Sequence, residues 1–248
     1  MEKKSIFESD SFRSVLASLI SILFGMAVGA VIIAIVGFRD PTLGAKSVGD
    51  GIKLVFGGLF STGRNAEGAL TWGYNSASVG NMLFRATPLI MTGLSVAMAY
   101  KTGLFNIGAP GQYLMGTMVS LIVALSIPSW VVPPQIIWFI AFFAGMLAGA
   151  LWGMIAGAMK AFLNINEVLA CIMTNWIAAN LVSWVFGTMP HLVNSASGKS
   201  GYLITTAVTG NGTPTLGLNQ IFKGSYIDAG IVVAILIAIG IRIFAGGL

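Results

Sequence analysis

The side chains of this 248-residue sequence that could do chemistry are mostly amides and hydroxyls, and they gather in two short stretches. The first, "GLFNIGAPGQ" from Gly103 to Gln112, sets Asn106 and Gln112 among three glycines and a proline. The second, "NINEVLACIMTNWIAAN" from Asn164 to Asn180, carries Glu167, Cys171, Thr174 and Asn175. At about 100° per residue these four fall within roughly 100° of one another on a helix, and Leu169, Ile172, Met173 and Trp176 take the remaining faces. Such groups suit hydrogen bonding to a neutral solute. They do not suit covalent catalysis, because a nucleophile needs a base beside it.

Other reactive arrangements are missing. His191 is the single histidine and Cys171 the single cysteine, so no Ser-His or Cys-His triad and no multi-cysteine metal site is expected. "SGKS", Ser197 to Ser200, looks like the tail of a nucleotide-binding loop. The full pattern requires a glycine where Val193 stands, and no strand precedes it. The sequence therefore predicts neither an enzyme nor a bound metal or cofactor.

The elements that must hold these residues are set by composition. Hydrophobic residues make up 56% and charged residues 8% of the chain, where a soluble domain carries about a quarter charged. The chain reads as a membrane protein. The net charge of +5 comes from Lys and Arg placed singly at the ends of apolar runs, where they anchor helices at the interface, so nucleic-acid binding is not expected. Six runs are expected to span, at 15–37, 82–100, 108–127, 134–158, 167–187 and 228–245. The first is longer than the core of a cleaved signal peptide, about 7 to 15 residues, and reads as a retained span. Lys3, Lys4 and Arg13 before it predict a cytoplasmic N-terminus. The loops 38–81 and 188–227 then lie outside. Both retain apolar residues, as in "IKLVFGGLF" and "GYLITTAVTG", that suit short amphipathic pieces. The expected fold is an all-α, polytopic membrane helical bundle of about six spanning helices, broken near 103–111, forming a single transmembrane domain over 1–248. No intramembrane pair of acids suggests a proton relay.

Several local readings stay open. Gly145, Gly149, Gly153 and Gly157 in "GMLAGALWGMIAG" recur every fourth residue along one helix face, which serves close helix packing within the chain or at a subunit interface. Asn166 is a good N-cap, with Glu167 in the first turn. The polar stripe behind them serves either a solute pathway or interhelical hydrogen bonding. Gly103, Gly108, Gly111 and Pro110 break the helix between Lys101 and Gly111. That break either presents hydrogen-bonding groups at membrane depth or forms an ordinary loop at the cytoplasmic surface.

"ATPLIMTGLSVAMAYKTGLFNIGAPGQYLMG", Ala86 to Gly116, together with "NEVLACIMTNWIA", Asn166 to Ala178, resembles the permease subunit of a bacterial ABC importer. The class is the one serving ribose, branched-chain amino acids and nucleosides, and the branch that of nucleoside permeases working with basic-membrane-lipoprotein type binding proteins. The resemblance implies one half of a channel in the bacterial cytoplasmic membrane. Its implied partners are a second permease subunit, ATP-binding cassette subunits on separate chains, an extracytoplasmic substrate-binding lipoprotein, membrane lipid and a small-molecule solute. Phe105, Asn106, Gly108 and Gln112 fall in one family signature, and Asn166, Glu167 and Asn175 in the other. Family members continue past the position of Leu248 into an ATPase-docking segment and further spans, so the sequence reads as the N-terminal part of a longer permease.

Together these readings predict that Phe105, Asn106, Gly108, Gln112, Glu167, Thr174 and Asn175 line a pathway for a neutral, hydrogen-bonding solute such as a nucleoside. Alternatives are a simple sugar or a branched-chain amino acid carried by the same importer class, a stand-alone secondary transporter, or a scaffold whose glycine face only packs partners.

Overall fold

A computed structural model describes residues 10–39, 45–189, 192, 208 and 210–246. His191 and the Ser197–Ser200 stretch lie outside these residues, as does most of "GYLITTAVTG". The described chain is almost entirely helical, and its contacts fall into two compact units.

The first unit comprises residues 1–80 and 223–225. Its α1, Asp10–Arg39, is apolar on every side, with Phe24 71% exposed, so the face it shows requires lipid rather than water. α2, Ala45–Gly57, packs on α1 where Gly37 receives Val48, and a methyl at Gly37 would come within 2.5 Å of Val48 Cγ2. A 3-10 turn, Gly58–Phe60, leads into a hairpin of β1, Ser61–Arg64, and β2, Leu70–Trp72, with a bulge between Ser61 and Gly63. The Arg64 guanidinium reaches back to the buried Asp50 carboxylate on α2 and donates to Gly68 O at 2.7 Å across the turn. Asn75 then accepts from Ser78 N at 3.0 Å, capping α3, while its own N–H group donates to Ser61 O. The sequence places loop 38–81 between spans, and the described part of that loop is this folded helix and hairpin.

The second unit comprises residues 81–222 and 226–248. α3, Ser76–Lys101, runs into it, followed by α4, Ala109–Ser126, α5, Pro134–Leu163, and α6, Glu167–Thr188. Beyond lie the single turn α7, Leu218–Ile221, and α8, Gly230–Gly246. Met115, Met118, Ala178 and Val185 form a core between α4 and α6, with Trp152 of α5 against them. Below it Ala156, Ala170 and Cys171 form a second cluster, packed by Ile107, Met159 and Ile165.

Among the described residues five helices, α1 and α3 to α6, are long and apolar enough to cross a bilayer. α8, where the sixth run is expected, is a shorter apolar helix of 17 residues.

Candidate functional site

The irregular segment between α3 and α4 is shaped by its glycines. At the end of α3, Gly103 takes φ 74°, a left-handed conformation that glycine adopts without strain. Leu104 N donates to Ala99 O at 3.0 Å and Gly103 N to Tyr100 O at 3.1 Å, the bonding pattern that closes a helix and reverses the chain. The chain then runs back along α3 until Asn106 Nδ2 donates to Ser95 Oγ at 3.1 Å. Ser95 lies six residues before the end of α3, so the Asn106 side chain meets α3 about 9 Å before its end at roughly 1.5 Å per residue.

Pro110 stands at the second position of α4, where the amide it lacks would have had no intrahelical acceptor. The next amide needs a partner, and α6 provides it. Asn175 Oδ1 accepts from Gly111 N at 2.9 Å, and Asn175 Nδ2 donates to Ile107 O at 3.0 Å. Gly111 permits this approach, since a methyl there would lie 2.6 Å from Asn175 Oδ1. Asn175 thus bridges both sides of the break with its two polar atoms.

Asn106 and Gln112 pair reciprocally across the turn. Asn106 Nδ2 donates to Gln112 Oε1 and Gln112 Nε2 to Asn106 Oδ1, both at 3.2 Å. Gly108 lies beneath this pair, where an added methyl would be 3.2 Å from Asn106 Oδ1 and 3.1 Å from Cys171 Sγ.

α5 and α6 are joined by a three-residue turn. Asn164 adopts a left-handed conformation at φ 52° that ends α5, and the Asn166 side chain accepts from Val168 N at 2.8 Å, capping α6. The turn brings Lys160 of α5 against Glu167 of α6 as an ion pair. Glu167 also lies in the first turn of α6, where the helix dipole favours a carboxylate.

These elements line an open cavity of about 490 Å³, within the range of small-molecule sites. Its polar lining is Asn106, Gln112, Lys160 and Glu167, beside Phe105 and Cys171. The structure therefore brings Phe105, Asn106, Gln112 and Glu167 of the predicted pathway residues to one cavity. Gly108 supports it from below. Thr174 and Asn175 are turned away from it: Thr174 is buried and its hydroxyl donates to Cys171 O at 3.0 Å within α6, while Asn175 serves the break. Lys160 and Ser95 are absent from the sequence-based prediction. Lys160 had a signal, a lone cation one short turn before Glu167, whereas nothing in the sequence connects Ser95 to Asn106. Among the described residues no cluster of His, Cys, Asp and Glu could hold a metal ion.

The glycine series divides. A methyl at Gly145 would overlap Ser120 Oγ and lie 2.8 Å from Gly116 O, one at Gly149 would lie 3.2 Å from Gln112 O, and one at Gly153 2.7 Å from Gln112 Nε2. Gly145 and Gly149 seat α5 directly on the α4 backbone, and Gly153 makes room for the Gln112 side chain. Gly157 meets nothing within 4 Å and lines the cavity instead. Four residues exceed one helical turn by about 40°, so the fourth member is rotated roughly 120° from the first and leaves the seam.

A family model described as the permease component of a branched-chain amino acid transport system matches residues 78–245. The guanosine ABC transporter permease protein NupP of Bacillus subtilis is 31% identical over 226 residues, covering 90% of this chain and 56% of that protein. The nucleoside ABC transporter permease protein NupB of Lactococcus lactis subsp. cremoris is 36% identical over 165 residues, 66% of this chain and 39% of its own. The glucose ABC transporter permease protein TsgB13 of Haloferax volcanii is 36% identical over 104 residues, 42% of this chain and 27% of its own. The chain thus spans little more than half the length of the curated relatives it matches, or less. No solved structure matches it.

Proposed function

The chain belongs to the permease family of branched-chain amino acid transport systems, and from that premise we propose that it carries a nucleoside across the bacterial cytoplasmic membrane as part of an ATP-driven importer. The observation that carries the reading is the 490 Å³ cavity, bounded by the uncharged amides of Asn106 and Gln112 and by Phe105. Amides recognise ring edges and hydroxyls, and a phenyl face stacks on a base. Lys160 and Glu167 neutralise each other at the same cavity, which suits a solute without net charge. Relatives named for guanosine and nucleoside transport support the choice of solute.

In this reading a second permease completes the channel, separate ATP-binding cassette subunits supply the energy, and an extracytoplasmic lipoprotein delivers the solute. Lys3 and Lys4 ahead of α1, with Arg13 near its start, support a cytoplasmic N-terminus. Gly108 lets the amides approach Cys171, and Thr174 and Asn175 support the pathway from behind.

The test is uptake of radiolabelled guanosine by cells carrying the complete transporter. Uptake should stop on ATP depletion and survive ionophores that collapse proton and sodium gradients; the reverse pattern would point to a secondary transporter. A second reading has one observation behind it. The Lys160 and Glu167 pair could instead engage the two charges of an amino acid, in which case radiolabelled leucine would be taken up in place of guanosine and unlabelled guanosine would not compete with it.

A further inference from the structure

We infer that the reciprocal Asn106 and Gln112 amide pair selects the solute by exchange: a solute whose ring carries an N–H beside a carbonyl or imine acceptor takes the place of one amide against the other. The inference rests on the translocation reading and names the feature of the solute that this site reads.

The argument begins with donor bookkeeping. Both N–H groups of Asn106 Nδ2 are engaged, one by Ser95 Oγ at 3.1 Å and one by Gln112 Oε1 at 3.2 Å. That fixes which edge of the Asn106 amide faces the cavity. Gln112 Nε2 uses one N–H on Asn106 Oδ1. By the donor and acceptor capacity of an amide, the pair has one Gln112 N–H and one lone pair on each amide oxygen left to offer. A solute meeting the pair therefore finds a donor flanked by acceptors.

Two carboxamides bonded reciprocally form a cyclic pair, and a lactam or amidine edge forms the same cyclic pair with a single carboxamide. Exchange forms two bonds between Gln112 and the solute for the two it breaks with Asn106, and the displaced Asn106 amide keeps its bond to Ser95 Oγ. A purely hydroxylated solute cannot supply that coplanar edge, and an alkylated ring nitrogen removes its donor. The existing bonds are suited to replacement, since 3.2 Å is at the long end of the N–H···O range. Ser95 keeps Asn106 oriented while Gln112 changes partner.

Position supports the same conclusion. A second cavity of about 740 Å³, walled by α3 around Pro88 and Thr92 and by α4 around Pro110 and Tyr113, also has Phe105 and Asn106 in its lining. These two residues are shared by both cavities. A solute arriving in either one meets the Asn106 amide, with the half-exposed Phe105 ring beside it for stacking.

The experiment uses the full chain purified in detergent and its one cysteine as the probe. Cys171 lines the first cavity and is 5% exposed, so a small maleimide alkylates it slowly, and a solute held in the cavity slows the reaction further. Guanosine, with its N1–H beside the O6 carbonyl, should protect Cys171 at about tenfold lower concentration than N1-methylguanosine, as expected for losing one arm of a bidentate pair. In Gln112→Leu that ratio should fall to about one. Because a leucine beside Gly153 could disturb folding, Ser95→Ala serves as the milder variant: it frees the Asn106 amide to rotate and should reduce the ratio without added bulk. Equal protection by the two nucleosides in the unaltered protein, or protection by neither, overturns the inference. Failure of the transport reading looks different, since guanosine uptake would then be absent from the complete transporter while the protection ratio persisted.

Discussion

Replacing Asn175 with alanine should destabilise the fold rather than merely slow transport, and the size of the effect follows from its two hydrogen bonds. The side chain accepts from Gly111 N at 2.9 Å and donates to Ile107 O at 3.0 Å. Measured across helices in a membrane, such bonds average about 0.6 kcal/mol and reach about 1.7 kcal/mol. A buried backbone group left without a partner costs about 1–3 kcal/mol. Gly111 cannot recover a helical acceptor readily, because the backbone preceding α4 has left the helix at Gly108. We therefore expect Asn175→Ala to cost about 1–3 kcal/mol in total. At roughly 2–4 °C per kcal/mol for a chain of this size, the purified protein should melt several degrees lower. Asn175→Asp keeps the acceptor for Gly111 N but sets a second oxygen against the Ile107 carbonyl, so it should not restore the parent's melting temperature. The assay is thermal unfolding in detergent followed by tryptophan fluorescence. An alanine variant melting with the parent would show that the break does not depend on α6, and the account of Asn175 as its bridge would fail.

Other outcomes follow from the same geometry. Gly145→Ala puts a methyl against the Gly116 carbonyl, a backbone atom that cannot move aside, and should cost about 1–3 kcal/mol, whereas Gly157→Ala should melt as the parent does; equal melting temperatures would refute the division of the glycine series. Asn166→Ala removes the cap on Val168 N and should cost about 1 kcal/mol, read in the same melt; an alanine variant melting with the parent would refute the cap. Arg64→Ala leaves Asp50 buried without its hairpin partner, and limited proteolysis should then cut between residues 61 and 72 faster than in the parent; unchanged digestion would mean the hairpin is held by its ladder alone.

How far these features can be read from the sequence depends on whether they are local. The spanning helices follow from uninterrupted apolar length, and the start of α6 from Asn166, because a cap acts on an amide two residues away. The end of α3 is equally visible, since a left-handed glycine and a following proline restrict the backbone they belong to. Partners across the bundle are a different matter. Asn175 meets residues 64 and 68 positions earlier, and no periodicity reveals which amide will face which. The helical wheel grouped Thr174 with Glu167 and Cys171, yet a threonine hydroxyl can always turn to a carbonyl of its own helix, and here it does. The hairpin escaped notice because strands of four and three residues are too short to display alternation. Equal glycine spacing suggested one continuous seam, but a step of four on a 3.6-residue helix drifts, and only the structure shows where the drift carries Gly157 off α4.

The close approach of α4 and α5 has a mechanical consequence. Helices separated by a cushion of leucines can slide as rotamers readjust, but here Gly145 and Gly149 set peptide against peptide, with the Gly116 and Gln112 carbonyls where a cushion would be. Sliding would drive one main chain into the other. The pair is held to move as a single lever, so bending is left to its joints, the left-handed Gly103 on one side and the short Asn164 turn on the other.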